Sequence, residues 1–242
     1  MQTVFDPASS AAWNAIDTVL LDMDGTLLDL HFDNHFWLEH VPRRYAELRG
    51  ISVAAAKKEL ERRYRSVEGT LDWYCLDYWS RELGLDIPLL KAEVEHLIRV
   101  HPQVPEFLDL LQAAGKTRVL VTNAHQKSLQ LKMHKTALGD RLDLVVSAHD
   151  LGLPKENPAF WERLRRRVRF DPRRTLFVDD SVAVLESARS WGIRHLLHVL
   201  RPDSRQPARP RGDFAAVADF GSLTGGLRKF AQVLELSEEP GG

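Results

Sequence analysis

The chain predicts an α/β fold, a parallel sheet wrapped by helices on both faces and interrupted early by a block of helices. Three observations carry that expectation. An apolar run, Val19-Leu20-Leu21, ends abruptly at two acids, Asp22 and Asp24, as a buried strand does when its carboxyl tip is loaded with charge. From about residue 101 strand-like and helix-like stretches alternate, the pattern of βαβ units. Between these lies a stretch, residues 32–100, with helical spacing and no strand-like run.

Taken in order, residues 1–17 predict a short arm or irregular helix packed on the body. In the helical stretch, Pro42 suits the first turn of a helix that stops at Gly50. Val53, Ala56, Leu60, Tyr64 and Val67 recur every three or four residues, an amphipathic stripe. Thr70 is the expected N-cap of an aromatic helix reaching Gly84, and Asp86 with Pro88 opens a fourth helix. Beyond 101, a helix over 105–114 stops at Gly115, and strands are expected at 118–122 and 142–147. Phe160, Leu164 and Val168 mark the next helix. A strand over 175–178 ends in Asp179-Asp180, a helix over 181–191 ends at Gly192, and a strand covers 193–200. Pro202, Pro207 and Pro210 among arginines predict an exposed extended loop over 201–211. A short strand at 214–217, a helix over about 223–236 and a frayed tail at 237–242 close the chain. The division that follows is a core of 1–31 and 101–242 carrying an inserted helical domain, 32–100.

Composition narrows the class. A chain of 242 residues, 44% hydrophobic and 28% charged, is ordinary for a globular domain with an insertion. A formal net charge of -1 makes no field that would gather nucleic acid or an anionic membrane. The arginines at 163, 165, 166, 167 and 169 lie off the apolar stripe of their helix, a solvated face rather than an RNA-binding one. One cysteine, Cys75, forms no internal disulfide, which fits a reducing compartment. Residues 1–17 lack the features of a secretory signal, and no run approaches the ~18 apolar residues of a membrane span. The expectation is a cytoplasmic protein.

Ligands of parallel α/β sheets gather beyond the carboxyl ends of the strands, so those ends name the candidate site. They carry Asp22 and Asp24, then Thr122 and Asn123, then Ser147, then Asp179 and Asp180, with Lys155 between the strands expected at 142–147 and 175–178. Residues two apart on extended chain point to one side, and two carboxylates about 4 Å apart repel by about 4 kcal/mol at an effective dielectric near 20. Such a pair calls for a cation. Gly25 lets the backbone turn away from the strand end.

Asp22-Met23-Asp24-Gly25-Thr26, Thr122, Lys155 and Asp179-Asp180, in that order, resemble the four motifs of the haloacid dehalogenase superfamily. The resemblance implies a Rossmann-like parallel-sheet core with a C1-type helical cap, and hydrolysis through an aspartyl-phosphate. It makes Asp22 the nucleophile, Asp24 the general acid and base, Thr122 and Asn123 the phosphate-binding loop, and Lys155 a catalytic and phosphate-binding cation. Mg²⁺ would be held by Asp22, Asp180 and the backbone carbonyl of Asp24, with Asp179 orienting a bound water. Glu156 stands where the family often has Pro. Dehalogenases lack the second acid of the first motif, so Asp24 favours a phosphatase or phosphomutase.

Thr18–Leu30, Trp73–Ser80 and Leu120–His125 further resemble a family of bacterial GMP/IMP 5′-nucleotidases within that superfamily. The implied substrate is a purine nucleoside 5′-monophosphate, with Phe32, Asn34, His35 and Trp73 as candidate base contacts. Most of the aromatic residues of 32–100 nonetheless fall at helical spacing and read as packing. A sugar-phosphate phosphatase or mutase is the alternative enzyme. A phospho-acceptor signalling domain is the non-enzymatic one, though its acidic pair precedes the acceptor, the reverse of the order here.

Overall fold

The computed structural model describes residues 5–238; the first four residues and the last four, assigned above to the core and tail, lie outside it. Six strands, β1 Thr18–Leu21, β2 Thr117–Thr122, β3 Leu144–Ser147, β4 Thr175–Asp179, β5 His195–Val199 and β6 Ala215–Val217, form one sheet of order 3-2-1-4-5-6 with every neighbouring pair parallel. This is the doubly wound order. Its direction of progression reverses between β1 and β4, and a crevice opens there at the carboxyl ends.

Alternation along the strands sorts the side chains into two cores. Leu20, Val119, Val121, Val146 and Phe177 face one layer, packed by Phe160, Trp161 and Leu164 of one helix and Val184, Leu185 and Ala188 of another. Val19, Leu21, Leu120, Leu176 and Val178 face the other. A period of two residues thus buries both faces of a sheet whose central strands are apolar between their ends.

The helices are α1 Ser10–Asn14, α2 His31–His35, α3 Val41–Arg49, α4 Val53–Val67, α5 Leu71–Tyr74, α6 Leu76–Leu83, α7 Ile87–Glu93, α8 Val104–Ala113, α9 Gln126–Thr136, α10 Ala148–Leu151, α11 Ala159–Arg167, α12 Val182–Trp191 and α13 Gly221–Glu238. A π-helical turn, Phe36–His40, joins α2 to α3. Several ends form as their residues dictate. Gly50 stops α3 in the left-handed region, Ser52 caps α4, Asp86 caps α7 through the Leu89 N–H, and Ser181 caps α12.

Two expectations needed correction, and one helix carries no pattern that predicts it. The helix expected over 70–84 is two helices, because Cys75 adopts an extended conformation between them, and the indole N–H of Trp79 donates to the Trp73 carbonyl across the break. Helix α9 was not foreseen, since its buried face presents Ser128 and Lys132 instead of an apolar stripe. The 201–211 loop is not uniformly exposed. Pro202 and Asp203 are buried, and Arg209 turns back onto the sheet. The arginines of α11, by contrast, are exposed, and no described helix is long and apolar enough to cross a membrane.

Candidate active site

Register sets the site. Leu21 lies beside Val178, so Asp22 and Asp179 follow on adjacent strands at the switch point, with Asp180 one residue further. One carboxylate oxygen from each of Asp22, Asp179 and Asp180 comes within 4.8 Å of the others. Lys155, buried in the loop after β3 and α10, places its ammonium 2.5 Å from Asp22 Oδ1 and 2.7 Å from Asp179 Oδ2. Arg209 donates to Asp180 Oδ2 at 3.0 Å and to its backbone carbonyl at 2.6 Å.

The charges do not balance. Three carboxylates face one lysine and one half-exposed arginine. Burial pushes Asp22 up to about 7, against the pull of Lys155, and Asp180 up to about 7, with Asp22 adding to the rise. Asp179 is pushed up to about 6, again by burial, with Lys155 opposing and Asp180 reinforcing. A buried acidic cluster under such strain fits a further cation. Its all-oxygen donor set fits a hard divalent ion such as Mg²⁺, which takes few carboxylates and keeps waters.

Gly25 makes the approach possible. Its φ is +89°, and a Cβ there would stand 2.7 Å from Asp180 Cγ. Gly25→Ala is therefore expected to push the Asp180 carboxylate aside. We expect a loss of about 100-fold or more in turnover, the scale of an ångström of misplacement, and about 1–3 kcal/mol of stability from backbone strain. Steady-state kinetics and a thermal melt on one preparation check both.

Around this centre the remaining groups are held by polar contacts. Thr122, at the end of β2, accepts the Ala124 N–H at 3.0 Å. Asn123 Oδ1 accepts the Lys155 backbone N–H at 2.9 Å, fixing the lysine loop against the phosphate-loop candidate. Glu156 receives the Asn123 amide at 3.0 Å and the Tyr74 hydroxyl at 2.5 Å. The residue that departs from the expected Pro thus ties the lysine loop to a helix of the insert.

Asp24 does not join the acidic cluster through its side chain. Its carboxylate pairs with Lys132 Nζ at 2.7 Å, and Lys132 also holds Asp33 Oδ2 at 2.7 Å. Asp33 in turn pairs with Lys91 at 2.6 Å. The chain Asp24–Lys132–Asp33–Lys91 crosses from the sheet into the helical insert with both lysines buried. Burial raises Asp24 against the pull of Lys132, whereas the two lysines outweigh burial and hold Asp33 well below the usual carboxylate range. Neither Lys132, Lys91 nor Arg209 was among the residues expected from the sequence.

A cavity of about 370 Å³ opens over these groups. Asp22, Asp24, Thr122, Asn123, Lys155, Asp179 and Asp180 line its floor, and Trp37, Tyr64, Trp73 and Trp79 its wall. Of the candidate base contacts, Asn34 and Trp73 reach the lining. Asn34 spends its amide on Asp203 Oδ2 at 2.8 Å. Phe32 and His35 are not among the lining residues. Phe32 is buried beneath the Lys91 and Lys132 ammonium groups, 4.8 and 5.2 Å from its ring centre, so no base can stack on it.

Comparison with known proteins adds to this geometry. The profile of haloacid dehalogenase-like hydrolases matches residues 16–192. The GMP/IMP nucleotidase YrfG of Escherichia coli (strain K12) is 45% identical over 193 residues, 80% of this chain and 87% of that protein. A phosphoglycolate phosphatase of Nitrosospira multiformis is 29% identical over 73% of this chain and 80% of its own. The crystal structure of a phosphatase from Thermococcus onnurineus superposes with a TM-score of 0.70 at 22% identity, covering 90% of this chain and 98% of that one.

Proposed function

The chain belongs to the haloacid dehalogenase-like hydrolases, and on that premise we propose that it is a Mg²⁺-dependent phosphatase of purine nucleoside 5′-monophosphates, GMP or IMP. The observation that carries the reading is the lysine bridge: Lys155 spans Asp22 and Asp179 on the floor of a cavity whose wall is aromatic. The likeness to a GMP/IMP nucleotidase supports the substrate class. In this reading residues 32–100 are a cap domain over a core of 1–31 and 101–242, and the enzyme is cytoplasmic.

The chemistry follows from the placement of the groups. Asp22 attacks phosphorus, and the ester oxygen leaves as the nucleoside hydroxyl, taking its proton from Asp24. Burial raises Asp24 against the pull of Lys132, the direction that proton donation needs. Water then attacks the aspartyl-phosphate and gives its proton to Asp24, restoring both acids and releasing phosphate. Thr122 and the Asn123 backbone N–H hold phosphate oxygens, and Lys155 faces the charge that develops on them. Asp22, Asp180 and the backbone carbonyl of Asp24 would hold Mg²⁺, with Asp179 orienting a water; when bound, the ion supplies positive charge against the phosphoryl oxygens.

A panel of phosphate esters tests the substrate. Phosphate release from GMP or IMP is expected to exceed that from sugar phosphates by about 10-fold or more, the worth of one stacked base, and to vanish on chelation and return with Mg²⁺. Equal or inverted rates would remove the nucleotidase reading and favour the sugar-phosphate alternative.

A further inference from the structure

Outside the carboxylate centre, one other group of described residues brings metal-binding atoms together. Cys75, His125 and His149 each offer one such atom within 4.8 Å of the others. They come from three places: the break between α5 and α6, the residue before α9, and α10 at the end of β3. None of the three is used in the reaction proposed above.

The donors differ in kind from those on the floor of the cavity. A thiol and two imidazoles suit Zn²⁺ and ions like it, whereas Mg²⁺ takes oxygen. The surroundings favour such an ion. His149 Nε2 is buried and has no hydrogen-bond partner among the described residues. Burial holds both imidazoles below the usual histidine range, keeping the neutral form that ligates. Cys75 is partly accessible, and its sulfur accepts only the Tyr78 N–H, at 3.4 Å. The rings of His125 and His149 stand edge to face with centres 5.0 Å apart. Tetrahedral zinc, with bonds near 2.0–2.3 Å, sets its ligands roughly 3.3–3.6 Å apart, so these side chains need to draw in by no more than about 1.5 Å. Asp77, with Oδ2 3.8 Å from His125 Nε2, or a water can take the fourth position.

We propose that Cys75, His125 and His149 form a second divalent-ion site, selective for Zn²⁺-like ions, that fastens the helical insert to the loops following β2 and β3. His125 also lines the cavity, so the fastening borders the site. The inference stands apart from the proposed substrate.

Co²⁺ titrated into the metal-free full chain tests it. The expected result is a near-ultraviolet sulfur-to-cobalt charge-transfer band with strong tetrahedral visible bands, displaced by Zn²⁺. The charge-transfer band should be lost in Cys75→Ser and the tetrahedral spectrum in His149→Ala, while both persist in Asp180→Asn, which alters only the carboxylate centre. Serine keeps a cap for the Tyr78 N–H, so Cys75→Ser is expected to fold; His125→Ala is the second variant, and circular dichroism checks each. Zn²⁺ should also raise the melting temperature of the unmodified chain and not that of Cys75→Ser. A spectrum unchanged by Cys75→Ser, a charge-transfer band abolished by Asp180→Asn, or an equal thermal shift in both chains would overturn the proposal.

Discussion

Asp22→Asn is expected to lower turnover by about 10⁴-fold or more while leaving the protein folded. Losses of that order follow removal of a nucleophile from a covalent mechanism. The amide keeps the shape of the side chain and still offers an oxygen to Lys155, whose ammonium retains Asp179 as its second partner. The substitution also takes one charge out of a crowded, buried set of acids. Its melting temperature in metal-free buffer is therefore expected to match or exceed that of the parent. Substantial residual turnover would refute the nucleophile, and a lower melting temperature would refute the claim that the charges are crowded.

Lys132→Met is expected to cost both stability and turnover. Lys132 is buried between Asp24 and Asp33, and removing one partner of a buried ion pair costs about 3–5 kcal/mol, because the remaining charge is left without compensation. Asp24 and Asp33 keep some exposure, which places the expectation at the lower end of that range. Lys57→Met breaks an exposed pair with Glu39 and should stay within about 1 kcal/mol. Turnover in Lys132→Met should fall through Asp24, which loses the cation that holds it. Denaturant unfolding and kinetics of the two variants, side by side, decide whether the buried chain or charge number alone matters.

The acids at the tips of β1 and β4 were legible because a charged pair after an apolar strand is a sharp contrast in the sequence, and the parallel order then places both tips at one crevice. Lys155 was legible only from its position among the motifs. Lys132 was not: the face it shares with Ser128 is buried yet polar, so α9 shows no apolar period, and its partner Asp33 lies 99 residues away. Arg209 was hidden in a segment rich in proline and arginine that reads as solvent-facing. Phe32 shows the opposite failure. An aromatic residue near a candidate site can be the platform for two ammonium groups and offer nothing to a ligand. Pairings between distant charges depend on tertiary approach, and hydropathy patterns carry no trace of them.

The account rests on phosphate passing through Asp22. Quenching GMP turnover with borohydride and mapping the reduced residue by mass spectrometry tests this most directly, since reduction converts an aspartyl-phosphate to homoserine. The predicted result is conversion at position 22 alone, dependent on GMP and Mg²⁺ and absent from Asp22→Asn. Conversion at another acid, or none during active turnover, would contradict it.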